Sequence, residues 1–251
     1  MSHISSMAPV YQVCSISIAA VSPPRAAAIL VGAAARSVSV QVHLCNAYTL
    51  SLVEQDPELR SALRCADLNL PDGTPVAWLG RRWGVRAPVR GPGLVLDVAR
   101  SGVASGLKHY LYGGAFGVAA DMAARLRSDV PGIDIVAVES PPYHTLSDDE
   151  LLKLTDRIRL SGANVVWIGL GTPRQDHLVP RVAGLVNVVV IPIGAAFDFL
   201  AGRVKEAPRL FHGTGLEWLY RLSREPKRLW RRYIIGNPRF LALTVRSWWH
   251  R

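Results

Sequence analysis

Short apolar runs, each ending in a turn of glycine or polar residues, alternate with amphipathic runs along most of the chain. Strands are predicted at 11–21, 38–45, 107–112, 133–139, 164–169 and 186–193. Helices are predicted at 24–35, 47–56, 57–66, 92–102, 117–128 and 148–160. Strands that alternate with helices pair in a parallel sheet that is covered by helices on both faces. The pattern predicts an α/β, Rossmann-like doubly wound fold with a mainly parallel sheet, opened by a strand–helix–strand unit at 11–45.

The positive charge is concentrated near the C-terminal end. The 251 residues carry a formal net charge of +10, and residues 203–251 contribute twelve lysines and arginines against three acidic residues, a net +9. The sequence therefore divides into a nearly neutral α/β domain, 1–202, and a basic helical appendage, 203–251. Such an appendage indicates an anionic partner, which is phospholipid, pyrophosphate or nucleic acid.

Cysteine usage and hydropathy indicate the compartment. The three cysteines form no C-x-x-C pair and are odd in number, which argues against a disulfide framework and a structural zinc site and favours a reducing cytosol. No apolar run reaches the roughly 18 residues of a membrane-spanning helix. The first residues lack the basic region of a signal peptide. We therefore expect a protein that neither spans a membrane nor is exported.

Two polar residues each follow a strand-like run, Asn46 after the predicted strand at 38–45 and Asp72 after the apolar–polar alternation of Leu68 and Leu70. Asp72 is the one acidic residue in the stretch 69–92, NLPDGTPVAWLGRRWGVRAPVRGP, where it accompanies four arginines. Turns at the carboxyl ends of strands hold ligands in doubly wound folds, although Asp-Gly is also an ordinary turn dipeptide. Asn46 follows the preceding strand and is either a helix N-cap or a site residue.

Two glycine turns join a strand to a helix. Gly113 and Gly114 either present backbone N–H groups to a phosphate or only allow tight packing, and they match neither G-x-G-x-x-G nor a P-loop. The turn at 170–176 presents Arg174 and Gln175, a cation and an amide that suit a nucleotide. A further candidate, Asp198, heads the element that closes the core.

Aromatic and aliphatic residues recur at helical spacing among the arginines of 217–251, and Pro226 marks a break between two helices. Basic amphipathic helices with tryptophan suit a membrane surface. The alternative is a helix pair that packs on the core and leaves its arginines in solvent.

Four sequence blocks together resemble the WecG/TagA/CpsF family of bacterial glycosyltransferases over about residues 40–233. They are AD-NLPDG-PV-W at 66–78 with RGP at 90–92, LYGG at 111–114, IGLGTPRQD at 168–176, and GAAFDFLAG-V--AP with GLEWLYRL--EP-R--RRY at 194–208 and 215–233. The resemblance implies transfer of an N-acetylmannosamine-type sugar from a UDP-sugar to a polyprenyl-diphosphate-linked sugar in teichoic acid, common-antigen or capsule synthesis.

The resemblance also assigns roles to residues. Asp72 matches the family's catalytic base, Asn46 an active-site asparagine, and Gln175 the glutamine of the nucleotide-sugar pocket. The basic segment that faces the membrane and the diphosphate supplies Arg221, Arg228 and Arg231 or Arg232. The further candidate substrate-binding residues are Thr49, Arg90, Gly113, Gly114, Gly171, Arg174 and Asp198. Two residues depart from the family pattern, Leu44 in place of a threonine and Glu206 in place of a basic residue.

The expected reaction is an inverting displacement with Asp72 as general base. No D-x-D motif is present to hold a metal on the donor diphosphate, so we expect metal-independent transfer without a cofactor, with cations and helix N-termini stabilising the leaving UDP. The expected location is peripheral, on the cytoplasmic face of the cell membrane. Assembly into a homo-oligomer is left as an open alternative. The alternatives are a basic nucleic-acid-binding protein and a dinucleotide-dependent oxidoreductase.

Overall fold

The computed structural model describes residues 8–141, 144–208, 211 and 214–249, apart from the side chains of 228 and 247–249. The strands are β1 (Val10–Val13), β2 (Ile16–Ala19), β3 (Val40–Cys45), β4 (Leu68–Pro71), β5 (Lys108–Gly113), β6 (Asp134–Glu139), β7 (Val165–Gly169) and β8 (Val189–Pro192). The helices before the last crossover are α1 (Pro23–Ala35), α2 (Ala47–Ser51), α3 (Pro57–Cys65), α4 (Thr74–Leu79), α5 (Gly91–Gly102), α6 (Val118–Asp129) and α7 (Asp148–Ser161). The later helices are α8 (Arg174–Ala183), α9 (Ala196–Leu200), α10 (Glu217–Arg224), α11 (Pro226–Trp230) and α12 (Gly236–Trp249). Arg81–Trp83 and Val103–Ser105 form 3₁₀ turns, and Arg231–Ile235 forms a π-helical turn.

A six-stranded sheet lies at the centre of the fold, in the order β4-β3-β8-β7-β5-β6. Every neighbouring pair in it is parallel, and helices connect the strands, as parallel pairing requires. The predicted α/β, doubly wound fold is confirmed. Because the strands are parallel, the turns at their carboxyl ends meet along one edge of the sheet.

Apolar side chains cover both faces of the sheet. Val165 and Trp167 of β7 pack in a cluster with α1, α5 and α6 on one face, and Val166 and Ile168 pack with α7 and α8 on the other. A strand buried on both faces is apolar at every position. This burial explains why the strands appear in the sequence as continuous apolar runs.

The run 11–21 differs from its prediction as a single strand. It forms an antiparallel hairpin of β1 and β2 outside the main sheet, and Cys14 and Ser15 make the turn with φ of 48° and 63°. Two-residue hairpin turns need such positive φ values and usually carry asparagine or glycine. Since neither is present, the turn was not recognisable, and the prediction of a single strand at 11–21 was wrong. The order strand, helix, strand is confirmed by β2, α1 and β3, although β2 lies outside the main sheet.

Helix α12 packs against the α/β part of the fold. Its residues Phe240 and Leu243 are buried in a cluster with Tyr11 of the hairpin and Leu50 of α2. The break at Pro226 is confirmed, because α10 ends at Arg224 and α11 begins at the proline. None of the described helices combines the length and hydropathy needed to cross a membrane. The boundary at residue 202 stays a prediction, and apolar contacts extend across it.

Candidate active site

A cavity of about 940 Å³ opens at the carboxyl ends of the sheet strands. Segments that follow all six strands of the sheet line it, together with α9, α10 and the π-helical turn. The lining residues from these strand ends include Asn46, Asp72, Gly114, Pro141, Gly171 and Gly194. Parallel pairing therefore collects residues from distant parts of the chain at a single site.

Asn46 and Asp72 contact each other in this cavity. Asn46 Nδ2 donates a hydrogen bond to Asp72 Oδ2 at 3.1 Å, while Asn46 Oδ1 accepts from the backbone N–H groups of Tyr48 and Thr49, both at 3.1 Å. The backbone N–H of Asp72 donates to the carbonyl oxygen of Cys45 at 3.0 Å. The predicted N-cap role of Asn46 is confirmed, and the same amide fixes the orientation of the carboxylate.

Opposing influences act on the protonation of Asp72. Burial raises the pKa of this carboxyl above its ordinary value, while the Asn46 hydrogen bond and the charges of Arg232, Arg221 and Arg90 favour the ionised form. Burial disfavours charge, and nearby cations restore part of the loss. A carboxylate with a raised pKa accepts a proton more readily than an ordinary aspartate does.

Two arginines of the C-terminal helices bring N–H groups to the cavity. Nε and Nη2 of Arg221 and Nε of Arg232 are buried and donate to no described residue. Arg221 Cζ lies 5.1 Å from the ring centre of Phe199, and Arg232 Cζ lies 4.9 Å from that of Tyr48. An unsatisfied buried donor costs about 1–3 kcal/mol. An anion in the cavity would satisfy these donors.

Arg90 joins the body of the cavity to the C-terminal segment. Its Nη2 lies 3.1 Å from Glu206 Oε2 and 3.2 Å from Glu217 Oε2. Glu206 is one of the two departures from the family pattern, and its structural role is to form this ion pair with Arg90. Leu44, the other departure, also lines the cavity.

Close packing explains why position 113 in the Gly113–Gly114 pair is a glycine. A Cβ on Gly113, which has a φ of 153°, would lie 2.5 Å from the backbone of Gly169 on β7. The N–H of Gly114 donates to the Gly169 carbonyl at 2.9 Å and is therefore occupied. Gly114 lines the cavity, whereas Gly113 lies behind it. These contacts favour the tight-packing alternative at this turn.

The turn after β7 is organised by Gln175. Its Oε1 accepts the N–H of Gly171 at 3.0 Å, and its amide also packs against Gly194 after β8. Arg174 Nη2 donates to the carbonyl of Leu170 at 3.1 Å. Gly171, Arg174 and Gln175 all line the cavity, so the turn is placed where a nucleotide could bind.

The other candidates lie in different environments. Asp198 lines the cavity, and Thr49 is buried beneath Asn46, with Oγ1 at 3.4 Å from Asn46 Oδ1. Arg231 reaches the cavity but is exposed beside Trp230. Arg228 belongs to α11, and its side chain lies outside the described residues.

Sequence reasoning missed three neighbours of these residues, namely Tyr48, Phe199 and Glu217. Tyr48 and Phe199 each flank a candidate residue within two positions, and this adjacency is the signal that could have suggested them. The pairing of Glu217 with Arg90 carries no local signal. In the part of the chain that the structure describes, no three histidine, cysteine, aspartate or glutamate residues are grouped as metal ligands would be.

This fold and cavity are typical of enzymes that act on phosphate-bearing substrates. The family model described as "Glycosyl transferase WecG/TagA/CpsF family" matches residues 11–251, and the chain belongs to this family. The resemblance drawn from the four sequence blocks is therefore confirmed. The protein is a glycosyltransferase. This conclusion takes the place of the nucleic-acid-binding and oxidoreductase alternatives.

A curated relative covers most of the chain. It is the N-acetylglucosaminyldiphosphoundecaprenol N-acetyl-beta-D-mannosaminyltransferase of Bacillus spizizenii, 29% identical over 195 residues. The alignment covers 76% of this chain and 73% of the relative.

Proposed function

We propose that the protein transfers an N-acetylmannosamine-type sugar from a UDP-sugar to a polyprenyl-diphosphate-linked sugar in cell-surface polysaccharide synthesis. The observation that carries this proposal is the contact of Asp72 with Asn46 in a cavity that also contains the unsatisfied N–H groups of Arg221 and Arg232. The printed name of the Bacillus relative supports the choice of sugar and of a lipid-linked acceptor.

Asp72 acts as the general base. Asn46 engages Oδ2, and Oδ1 takes the proton of the acceptor hydroxyl while that oxygen forms a bond to the anomeric carbon. The bond from this carbon to the donor phosphate breaks, and its electron pair leaves with UDP. One displacement inverts the configuration of the sugar. A general base of this kind contributes about 10²–10⁴-fold to the rate.

Arg221 and Arg232 stabilise diphosphate charge. Their buried N–H groups have no competing acceptor among the described residues, and a cation in a water-poor cavity interacts with phosphate more strongly than one in bulk solvent. Arg232 also lies close enough to Asp72 to favour its ionised form. The turn at Gly171, Arg174 and Gln175 supports the nucleotide part of the donor.

The C-terminal helices bring the enzyme to its lipid-linked acceptor. Apolar side chains on this segment are about half or more exposed, among them Leu216, Leu219, Trp230, Ile234, Ile235, Leu241 and Val245. Together with the basic charge of 203–251 they suit the surface of an anionic membrane. We place the enzyme at the cytoplasmic face of the cell membrane, where a cytosolic UDP-sugar meets the acceptor.

A donor screen tests the proposal. Purified protein is incubated with UDP-N-acetylmannosamine, UDP-N-acetylglucosamine, UDP-N-acetylgalactosamine or GDP-mannose, and with a GlcNAc-diphosphate-lipid acceptor. We expect UDP-N-acetylmannosamine to give the highest kcat/KM and a product of inverted configuration by NMR. Transfer from GDP-mannose alone would refute the assignment of the donor.

Chelation tests the metal requirement separately. Because arginines and helix N-termini take the place of a cation on the diphosphate in this proposal, EDTA-treated enzyme should retain its transfer rate. Loss of activity with EDTA and its recovery with Mn²⁺ would overturn metal independence and leave the choice of sugar intact.

A further inference from the structure

A second basic surface lies outside the C-terminal segment, at the end of α4. It consists of Trp78, Arg81, Arg82, Trp83 and Arg86, which we call the tryptophan–arginine patch. All three arginines are exposed, and none forms an ion pair with a residue that the structure describes. Trp78 is 47% exposed. The transfer reaction described above uses none of these side chains.

The patch is ordered by its aromatic rings. Arg81 Cζ lies 5.6 Å from the ring centre of Trp78, and Arg82 Cζ lies 5.0 Å from that of Trp83. Trp83 stacks in turn on Tyr11, with ring centres 5.4 Å apart, and Tyr11 is buried and donates a hydrogen bond to the carbonyl of Val76. The two guanidinium groups therefore project from a fixed aromatic base.

Its position relates the patch to the catalytic residues and to the C-terminal segment. Helix α4 begins two residues after Asp72, and its six residues are about 9 Å long. At the other end, the Trp78 indole lies against Gly215, where a Cβ would be 3.1 Å from Cη2. Gly215 precedes Leu216 and Leu219, which are 49% and 51% exposed. The patch therefore adjoins the exposed apolar side chains of α10.

We propose that the tryptophan–arginine patch is a second membrane-contact site, which binds the anionic phospholipid surface beside the catalytic cavity. Unpaired cations match anionic headgroups, and a half-exposed indole suits the interface between headgroups and acyl chains. Two contact points, the patch and the C-terminal helices, fix the orientation of the enzyme on the bilayer. The carboxylate of Asp72 is thereby held about one short helix away from the lipid surface.

This inference rests on the proposed use of a lipid-linked acceptor, and vesicle binding by full-length protein tests it. The patch variant is Arg81→Gln/Arg82→Gln/Arg86→Gln. The matched control is Arg36→Gln/Arg64→Gln/Arg100→Gln, which removes the same charge from three exposed arginines elsewhere. Co-sedimentation is measured with phosphatidylglycerol vesicles and with phosphatidylcholine vesicles.

The patch variant should bind anionic vesicles about 100-fold more weakly, because each basic residue at such a surface contributes about a factor of five. The control variant should lose much less, and neutral vesicles should bind every protein weakly. Trp78→Ala should weaken binding in high salt as well, since its contribution is apolar. Transfer to a short-chain soluble acceptor should be unchanged in the patch variant, while transfer to the vesicle-embedded acceptor should fall.

Four outcomes would overturn the inference. Equal losses in the patch and control variants would show that only net charge matters. Wild-type levels of vesicle binding by the patch variant would remove the patch from the interface and leave the proposed transfer reaction untouched. Loss of binding to duplex DNA without loss of binding to vesicles would assign the patch to nucleic acid. If wild-type protein transferred sugar but bound no vesicles, the patch proposal would fail and the proposed reaction would stand.

Discussion

Asn46 illustrates how one side chain joins local structure to chemistry. Its amide oxygen caps α2, and its amide nitrogen donates to the carboxylate of Asp72. An N-cap is recognisable from neighbouring residues, whereas the contact with Asp72 depends on the pairing of β3 with β4. Local sequence therefore predicts the cap, and only the sheet places the amide beside the base.

The two roles of Asn46 can be separated by substitution. Asn46→Asp keeps an N-cap acceptor but places a second negative charge beside Asp72, which should raise the pKa of that carboxyl and lower kcat/KM at neutral pH. Asn46→Ser keeps the cap without the charge, and Asn46→Ala removes the cap and should cost about 1 kcal/mol of unfolding free energy. Kinetics and urea unfolding measure these effects. Equal activity in the aspartate and serine variants would argue against the electrostatic contact.

Asp72→Asn tests the base and the cost of burying it. The variant should fold and bind UDP, and its kcat should fall by about 10²–10⁴-fold. Because burial raises the pKa of Asp72, its contribution to stability is present at low pH and is lost as the pH rises through the folded-state pKa. The variant should therefore be at least as stable as wild type at neutral pH. Near-normal turnover would exclude Asp72 as the base.

The pH profile of kcat/KM reports the same environment. Only the ionised carboxylate accepts a proton, so activity should decline as the pH falls through the raised pKa of Asp72. The acidic limb should lie above the ordinary aspartate value of 3.8. Arg232→Gln removes a charge that lowers this pKa, and its limb should move to higher pH. A wild-type limb at or below the ordinary value would contradict the desolvated environment.

At the level of elements, the sequence predicted the strands, the helices and the candidate residues in the turns between them, because these follow from the strand–turn–helix alternation. The candidates at strand ends, such as Asp72 and Gly171, were recognisable because apolar runs stop there. The family resemblance left Arg231 and Arg232 as alternatives. They lie in a π-helical turn, whose extra residue shifts the phase of later side chains. Arg232 is the one with a buried Nε beside the cavity.

The close approach of β5 to β7 gives a test at the same scale. Gly113→Ala would place a Cβ 2.5 Å from the Gly169 backbone, and overpacking of this kind should cost about 1–3 kcal/mol of unfolding free energy. Gly93→Ala in α5 is the control, because a Cβ there meets nothing within 4 Å. The control should be neutral or more stable by about 0.5–1 kcal/mol. Equal denaturation midpoints for both variants would contradict the packing role of Gly113.

At the level of the whole molecule, charge and packing divide the chain differently. The charge changes near residue 203, whereas apolar contacts of Phe240 and Leu243 reach back to the hairpin and α2. Composition revealed the boundary in charge. The packing of α12 on the hairpin and α2 depends on which surfaces meet in three dimensions, and no local pattern in the sequence encodes it.

Deletion of residues 203–251 tests both divisions together. The deletion removes Arg221 and Arg232 from the cavity and uncovers the apolar hairpin face, so transfer should be lost and the unfolding free energy should fall. Vesicle binding should weaken to the part that the tryptophan–arginine patch supplies. Phe240→Ala in the full-length chain isolates the packing effect, at about 3–5 kcal/mol, and keeps the arginines. Full transfer activity in the deletion variant would remove the C-terminal segment from the active site.

The packing of the hairpin and α12 in one apolar cluster also has a consequence for the order of synthesis. The hairpin precedes α12 by more than 200 residues, because β2 ends at Ala19 and α12 begins at Gly236. At about 5–20 residues per second, about 10–50 s separate the two at the ribosome. The apolar hairpin face therefore stays without its α12 cover until α12 has been translated, and the cavity cannot acquire Arg232 before the chain has been made to that residue.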